Sequence, residues 1–154
     1  MSFQRSTEAF PAGRLSATHY RAVHKHLFQD VYRWAGCYRS VRLNKDGSEF
    51  CLPQYIATQV TTLFTELRHH SHLAALAPDA FAEGAATFLA NLNAIHPFRE
   101  GNGRSQVGFL IILARDAGHP LDTTLLDREV WLDAMISSFH GDAAPLAEQI
   151  RVMI

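Results

Sequence analysis

The run VGFLIILA at residues 107–114 is apolar on almost every side of a helix. A helix without a polar face has to be covered by other parts of the chain, so this run predicts a central helix surrounded by further helices. It is too short to be a membrane span, which needs ~20 apolar residues. Gly118 and Pro120 follow it and are typical of a helix end. We therefore expect a helix from Asn102 or Gly103 to about Gly118.

Apolar residues spaced three and four positions apart predict five other helices. Proline in the first turn and glycine after the last turn mark the ends of such helices. The first of the five continues to Trp34 and stops at Gly36. The third ends at His96, because Pro97 disfavours helical geometry in the residue before it. The apolar faces are those of Tyr20, Val23, Leu27, Val31 and Trp34; of Ile56, Val60, Leu63 and Leu67 after Pro53; of Phe81, Ala85, Phe88, Leu92 and Ile95 after Pro78; of Val130, Trp131, Met135 and Phe139 before Gly141; and of a shorter helix after Pro145.

One segment departs from the helical pattern. In SVRLNKDGSEFCL, residues 40–52, the pair Asp46-Gly47 stands between β-prone flanks. Asp-Gly favours a two-residue hairpin turn, because that turn needs positive φ. An isolated hairpin is only marginally stable in water, so we expect this one to lie against the helices. The predicted fold class is therefore mainly α, with one small β-hairpin.

Composition limits the class of protein. The chain has 154 residues, of which 47% are hydrophobic and 19% charged, as in one compact, ordered domain. A formal net charge of -1 and the lack of a long basic stripe indicate no broad binding to nucleic acid or membranes. Cys37 and Cys51 are too few for a disulfide framework and favour a reduced protein, and the first ten residues lack a signal core. We expect a single domain over residues 1–154 in the cytoplasm, with secretion into another cell left open.

The stretch HPFREGNGR, residues 96–104, joins the third helix to the buried one. The first N–H groups of a helix have no intrahelical partner and carry partial positive charge. Gly101 and Gly103 allow loop conformations closed to other residues and let a ligand approach the backbone. Asn102 tolerates the left-handed region or caps the helix. Together they predict a nest for phosphates, to which Arg104 adds a forked cation.

Two titratable residues flank this nest. Glu100 would repel phosphates unless a hard cation such as Mg²⁺ lay between them. His96 titrates near neutrality and can take a proton from an attacking hydroxyl. Each residue alone has an ordinary explanation as a helix end, a turn or a solvated acid. A base, a metal ligand and a phosphate nest at this joint spacing predict phosphoryl or nucleotidyl transfer.

HPFREGNGR resembles the core motif of the Fic (filamentation induced by cAMP) family, H-P-F-x-[DE]-G-N-G-R-x-x-R, with Arg99 at the free position. Upstream, LFQDVYRWAGCYR at residues 27–39 is similar to the segment that these proteins carry before a flap hairpin. The hairpin predicted at residues 44–50 lies where that flap should be. The resemblance covers most of the chain and implies a compact Fic-type helical domain.

The resemblance implies transfer of AMP from ATP to a Ser, Thr or Tyr hydroxyl of a target protein, by a toxin or an effector. His96 would be the general base, and Glu100 would hold Mg²⁺ or Mn²⁺. A separate small antitoxin stays open as a partner. The phosphates would be held by Gly101, Asn102, Gly103 and Arg104, and an extended target segment would add as a strand to the flap residues Lys45, Asp46, Gly47, Ser48, Glu49 and Phe50.

The resemblance fails at Val107, which stands where the motif has its last arginine. In the family that arginine holds the γ-phosphate and pairs with an inhibitory glutamate, and valine can do neither. Three alternatives follow: a weakened adenylyltransferase, transfer from another donor as UMP or phosphocholine, or a non-catalytic module that binds a nucleotide or a peptide. Kinase-like relatives carry Ala-Asn-Lys where this chain has Gly-Asn-Gly at residues 101–103, so phosphate transfer ranks last.

Overall fold

The computed structural model describes residues 9–154. Its regular structure consists of six α-helices, one two-stranded hairpin and three short 3-10 turns, so the mainly α fold with a small hairpin is confirmed. The helices are α1 (Ala17–Phe28), α2 (Ile56–His69), α3 (Pro78–Ile95), α4 (Asn102–Asp116), α5 (Arg128–Phe139) and α6 (Ala144–Met153), and the strands are β1 (Asn44–Lys45) and β2 (Ser48–Glu49). The turns are Pro53–Tyr55, Ser71–Leu73 and Thr123–Leu125.

Helix α3 lies at the centre of the fold and packs against α2, α4, α5 and α6. Helix α4, the one expected to be central, packs against α1 and α3. Its Phe109 and Leu113 are fully buried, but Val107 and Ile111 are only half-buried, so the helix is covered on most of its sides. Within residues 9–154, no helix has both the length and the hydropathy for a bilayer crossing.

The first helix is shorter than its apolar pattern predicts. Helix α1 ends at Phe28, and Val31, which was expected on the buried face, is 47% exposed. Beyond Phe28 the chain turns, so that the ring of Trp34 stacks on His24 of α1 with centroids 5.9 Å apart. The N–H of Gly36 also reaches the ring of His24, at 2.9 Å. These tertiary contacts outweigh the helical period of the sequence.

The hairpin turn predicted at Asp46-Gly47 is present. The two residues have φ of +50° and +81°, and positive φ at both central positions is the mark of a type I′ turn. The base of the hairpin is tied to α3, because the N–H of Cys51 donates to the carbonyl of Ala94 at 3.3 Å. The hairpin therefore lies against the helices, as expected.

Candidate active site

A cavity of about 340 Å³ lies where the hairpin meets the end of α3 and the start of α4. Its wall is formed by Leu43, Asn44, Lys45 and Phe50 of the hairpin and by His96, Arg99, Glu100, Gly101, Asn102 and Gly103 of the loop. The predicted base, metal ligand and phosphate nest therefore share one space with the flap. The other predicted flap residues lie outside the wall: Asp46, Gly47, Ser48 and Glu49. A cavity of about 360 Å³ between α2 and α3, behind Cys51, contains none of the predicted site residues.

His96 follows α3 in the left-handed region, with φ +51° and ψ +64°. This is uncommon for a residue other than glycine, so surrounding contacts have to hold it. Its Nδ1 lies 3.1 Å from the carbonyl of Asn93. A carbonyl only accepts, so Nδ1 carries the proton and Nε2 keeps its lone pair. The ring stacks on Phe50 with centroids 3.9 Å and planes 13° apart. The hydrogen bond thus selects the tautomer, and the stack holds the ring in the orientation that a general base needs.

The electrostatic environment keeps the ring of His96 uncharged. The pKa of His96 is lowered to about 4: burial is the largest cause, the hydrogen bond with Asn93 opposes it, and the charges of Arg39 and Lys45 add to it. At neutral pH the imidazole is therefore uncharged, and its Nε2 can accept a proton without first losing one.

Gly101 and Asn102 shape the loop before α4. Gly101 has φ +81°, and a Cβ at this position would lie 2.4 Å from the ring of Phe28. The amide of Asn102 spans the backbone of Phe98: Oδ1 accepts from its N–H at 3.0 Å, and Nδ2 donates to its carbonyl at 2.6 Å. The side chain of Asn102 is therefore used within the loop, and what it offers the cavity is its backbone.

The phosphate nest was predicted at the first turn of α4. The N–H of Ser105 donates to the carbonyl of Gly101 at 3.1 Å and begins the helical ladder. The N–H groups of Asn102 and Gly103 precede this bond and consequently have no acceptor four residues back within the helix. Gly103 has open space where a side chain would be, so an anion can approach this backbone directly.

Glu100 is exposed on the cavity wall. Its carbonyl is engaged by His24, while its carboxylate has no partner among residues 9–154. Mg²⁺ in proteins is typically held by one or two carboxylates, substrate phosphates and water. A single free carboxylate beside an anion nest fits that pattern, although the described residues hold no group of three or more metal-binding side chains. Glu100 is thus a suitable protein ligand for the ion that the family implies.

His24 of α1 is a supporting residue that the sequence analysis did not find. Its Nδ1 accepts from the N–H of Gly36 at 2.9 Å, so its Nε2 carries the proton and donates to the carbonyl of Glu100 at 2.9 Å. Its ring stacks on Phe98 with centroids 3.8 Å apart. His24 is fully buried on the apolar face of α1. A histidine at a position where the helical spacing predicts an apolar residue is the sequence feature that could have identified it. Arg39 is a second buried polar residue without a predicted role.

Residues 14–114 match the model of the Fic/DOC family. The chain belongs to the Fic/DOC family. The match includes α1, the hairpin, the loop with HPFREGNGR and most of α4, so the predicted recognition is confirmed over the part of the chain that builds the cavity.

Curated Fic/DOC relatives carry one enzyme name. The chain is 54% identical over 151 residues to the probable protein adenylyltransferase y4lH of Sinorhizobium fredii, covering 97% of this chain and 79% of the relative. It is 36% identical to the protein adenylyltransferase VbhT of Bartonella schoenbuchensis, covering 91% of this chain and 29% of the relative. It is 34% identical to the probable protein adenylyltransferase Fic of Escherichia coli, covering 83% of this chain and 64% of the relative. The predicted enzyme class is confirmed at the level of these names.

Solved Fic domains share the fold. The Fic domain of a VirB-translocated Bep effector protein from Bartonella quintana, with bound ADP, has a TM-score of 0.85 at 26% identity and covers 99% of this chain and 78% of that chain. The BepC protein from Bartonella tribocorum, with bound AMPPNP, has a TM-score of 0.84 at 24% identity, with coverage of 99% and 80%. The second likeness shows the fold alone.

Both fixed arginine positions of the Fic/DOC motif, residues 104 and 107, lie outside the cavity wall. Arg104 is exposed on the first turn of α4, and Val107 is half-buried one turn further, packed against the core. The cations on the wall are instead Lys45 and Arg99. Arg42, near the hairpin, is engaged in an exposed ion pair. The site thus has positive charge on its flap side and on its loop side.

Proposed function

We propose that this chain transfers AMP from ATP to a Ser, Thr or Tyr hydroxyl of a target protein. The observation that carries the proposal is the single cavity in which His96, Glu100 and the N-terminus of α4 adjoin the hairpin. A base and a phosphate nest alone would serve an acceptor of any size, whereas an adjoining strand edge is suited to a polypeptide. The names of the relatives and the ADP held by the Bartonella quintana domain support a nucleotide donor.

His96, the start of α4 and Glu100 each have a separate role in the proposed reaction. The target hydroxyl oxygen attacks the α-phosphorus of ATP while its proton passes to Nε2 of His96. The bond between the α-phosphorus and the bridging oxygen breaks, and pyrophosphate leaves with that electron pair. The N–H groups of Asn102 and Gly103 stabilise negative charge on the phosphates. Mg²⁺ bound to Glu100 would supply further charge neutralisation.

The test uses ATP labelled at either the α- or the γ-phosphate, incubated with the chain and a bacterial lysate. We expect the α label on protein and no γ label. His96→Ala should reduce labelling by about 10²- to 10⁴-fold, the usual cost of losing a general base. Transfer of the γ label would identify a kinase instead. Nucleotide binding without any transfer would identify a non-catalytic module.

The same assay tests the donor. Labelled GTP, UTP, CTP and CDP-choline replace ATP in parallel reactions, and mass spectrometry identifies the group on the modified proteins. We expect the largest yield from ATP. A larger yield of UMP or phosphocholine adducts would overturn the choice of ATP and leave the roles of His96 and the helix N-terminus standing.

A further inference from the structure

The side chain and backbone of Arg39 bond the end of α3 at three consecutive carbonyls. Nε donates to the carbonyl of His96 at 2.8 Å and Nη2 to that of Ile95 at 3.1 Å. The backbone N–H of Arg39 donates to the carbonyl of Pro97 at 2.9 Å. The last carbonyls of a helix lack intrahelical partners, so Arg39 satisfies the groups that α3 leaves open beside the catalytic histidine.

The opposite side of the same guanidinium bonds the hairpin. Nη1 donates to the carbonyl of Val41 at 2.7 Å and Nη2 to that of Cys51 at 2.6 Å. Val41 precedes β1 and Cys51 follows β2, so the two bonds hold both ends of the hairpin. Arg39 is only 5% exposed. A buried charge is costly unless it is fully hydrogen-bonded, and these four side-chain bonds to carbonyls provide that.

The two sets of bonds determine where Phe50 lies relative to His96. Phe50 is next to Cys51, and its ring stacks on the imidazole at 3.9 Å. If the hairpin moved away from α3, the rings of Phe50 and His96 would separate. The imidazole could then rotate and would be exposed to water. Together with the bond from the N–H of Cys51 to the carbonyl of Ala94, the guanidinium therefore keeps the flap and the base in one arrangement.

We propose that Arg39 is a positioning residue of the transfer reaction, which holds the hairpin and the imidazole of His96 at a fixed separation. The hydroxyl of a target segment bound to the hairpin edge is then already aligned with Nε2 of His96. This inference rests on the proposed function. Arginine suits the task because its planar fork reaches several carbonyls in fixed directions, whereas lysine offers a compact ammonium group.

The test compares Arg39→Lys and Arg39→Met with the parent chain and with Arg21→Met. Arg21 is a matched control, since its Nε donates to the carbonyl of Gly36 at 2.8 Å and its guanidinium lies over the ring of Tyr38, and neither contact involves the hairpin or His96. Two measurements need no activity: hydrogen exchange at the amides of Phe50 and Cys51, and the rate at which diethyl pyrocarbonate modifies His96, read by peptide mass spectrometry.

In Arg39→Lys we expect both rates to rise by about tenfold, because bonds to a charged donor that hold the hairpin closed are lost. The affinity for ATP should stay at the parent value, because the nest belongs to α4. The kcat of AMP transfer should fall by about tenfold or more, since the reacting groups are no longer aligned. Arg21→Met should leave all four quantities unchanged. Arg39→Met should change the two rates and kcat more than Arg39→Lys does. If Arg39→Met fails to fold, the proposal is tested with Arg39→Lys alone.

Three results would overturn the proposal. The first is parent-like exchange and modification rates in Arg39→Lys. The second is faster exchange throughout the core rather than at the hairpin, which would indicate a role in stability alone. The third is a loosened hairpin with undiminished kcat. An error in the proposed function would appear differently, as absence of transfer by the parent chain itself.

Discussion

His96 can act as a base only while its ring is neutral. Its pKa is lowered from 6.5 to about 4, chiefly by burial. Protonation removes the lone pair on Nε2, so transfer should persist as the pH falls below 6.5 and should decline only as it approaches about 4. Titration of the His96 ring protons by NMR in the free protein measures this pKa, and the acidic limb of kcat/KM should report the same value.

A variant of the flap provides the control for this prediction. Phe50→Ala removes the ring that covers the imidazole, so the pKa of His96 should rise toward 6.5 as water reaches the ring. A value near 6.5 in the parent chain would show that the stack with Phe50 does not exclude water, and the proposed cause of the shift would be wrong.

Glu100 should make transfer dependent on Mg²⁺ or Mn²⁺. Glu100→Gln keeps the shape of the side chain but removes the charge that binds a hard cation, so the Mg²⁺ concentration needed for half-maximal transfer should rise. Glu49→Gln, which changes an exposed acid outside the cavity wall, should leave this concentration unchanged. Full activity of the parent chain in excess chelator would rule out the role of Glu100.

Val107 predicts weak discrimination between ATP and ADP. A half-buried valine packed on the core cannot hold a γ-phosphate, whereas Val107→Arg could restore such a contact. A charge-assisted hydrogen bond contributes about 1.5–3 kcal/mol, or roughly 10- to 150-fold in affinity. Calorimetric titration of both proteins with ATP and ADP measures the change, which should shrink as salt is added.

The cations on the cavity wall are the competing explanation. Lys45 and Arg99 line the space beside the nest, and either could substitute for the absent arginine. If the parent chain already binds ATP about tenfold tighter than ADP, the prediction for Val107 is contradicted. Lys45→Met and Arg99→Met would then identify the substitute by the loss of that preference.

The hairpin offers one edge to the cavity, and its register shows which backbone groups that edge presents. The N–H of Phe50 donates to the carbonyl of Leu43, and Asn44 pairs with Glu49. Bonded and non-bonded pairs alternate in an antiparallel ladder, so the N–H groups of Asn44 and Glu49 point away from each other. Leu43, Asn44 and Lys45 on the β1 side line the cavity, against Phe50 alone on the β2 side, so we expect a target strand to add to β1.

Proline at the exposed N–H of β1 should therefore block strand addition. We expect Asn44→Pro to abolish labelling of the target proteins while donor binding persists, because proline removes the N–H that bonds the added strand. Glu49→Pro makes the same change on the opposite edge and should leave labelling nearly intact. Lys45→Ala and Ser48→Ala should have smaller effects than Asn44→Pro. Equal sensitivity of the two edges to proline would argue against addition to β1.

Helices could be predicted from the sequence where their apolar period agreed with their packing. Pro78 begins α3 and His96 follows its last residue, as expected, because proline signals act within a few residues. The predicted end of α1 at Gly36 was wrong. Val31 and Trp34 continue the apolar spacing of the helix, but the helix ends at Phe28. The turn there depends on contacts of Trp34 and Gly36 with His24 of the same helix, and the apolar period does not reveal such contacts.

Over the whole molecule, the predicted site residues lie in two short, contiguous stretches of the sequence. The residues that support the site, His24 and Arg39, lie outside both stretches. His96 and residues 99–103 line the cavity together with the hairpin, and a motif read along the chain was enough to propose them. His24 and Arg39 act on the same loop from 57 or more positions away. Their roles depend on how α1 and the following turn fold back onto α3, which periodicity does not determine.

Phe98 should couple the stability of the whole molecule to the shape of the loop. It is fully buried, its ring packs on Tyr20, His24 and Tyr38, and Asn102 bonds both its N–H and its carbonyl. Phe98→Ala should lower the free energy of unfolding by about 3–5 kcal/mol, the usual cost of truncating a buried phenylalanine. Urea unfolding measures this change.

Two controls separate anchoring from general disturbance. Phe98→Leu keeps much of the volume and should cost less than about 1.5 kcal/mol, and Leu132→Ala, at a residue 54% exposed, should change the free energy by about 0.5 kcal/mol or less. Phe98→Ala should also weaken ATP binding, because Phe98 holds the loop that orients the nest, whereas His96→Ala should reduce transfer and leave ATP affinity unchanged. A loss below about 1 kcal/mol for Phe98→Ala would show that the loop is held by Asn102 and His24 without its aromatic anchor.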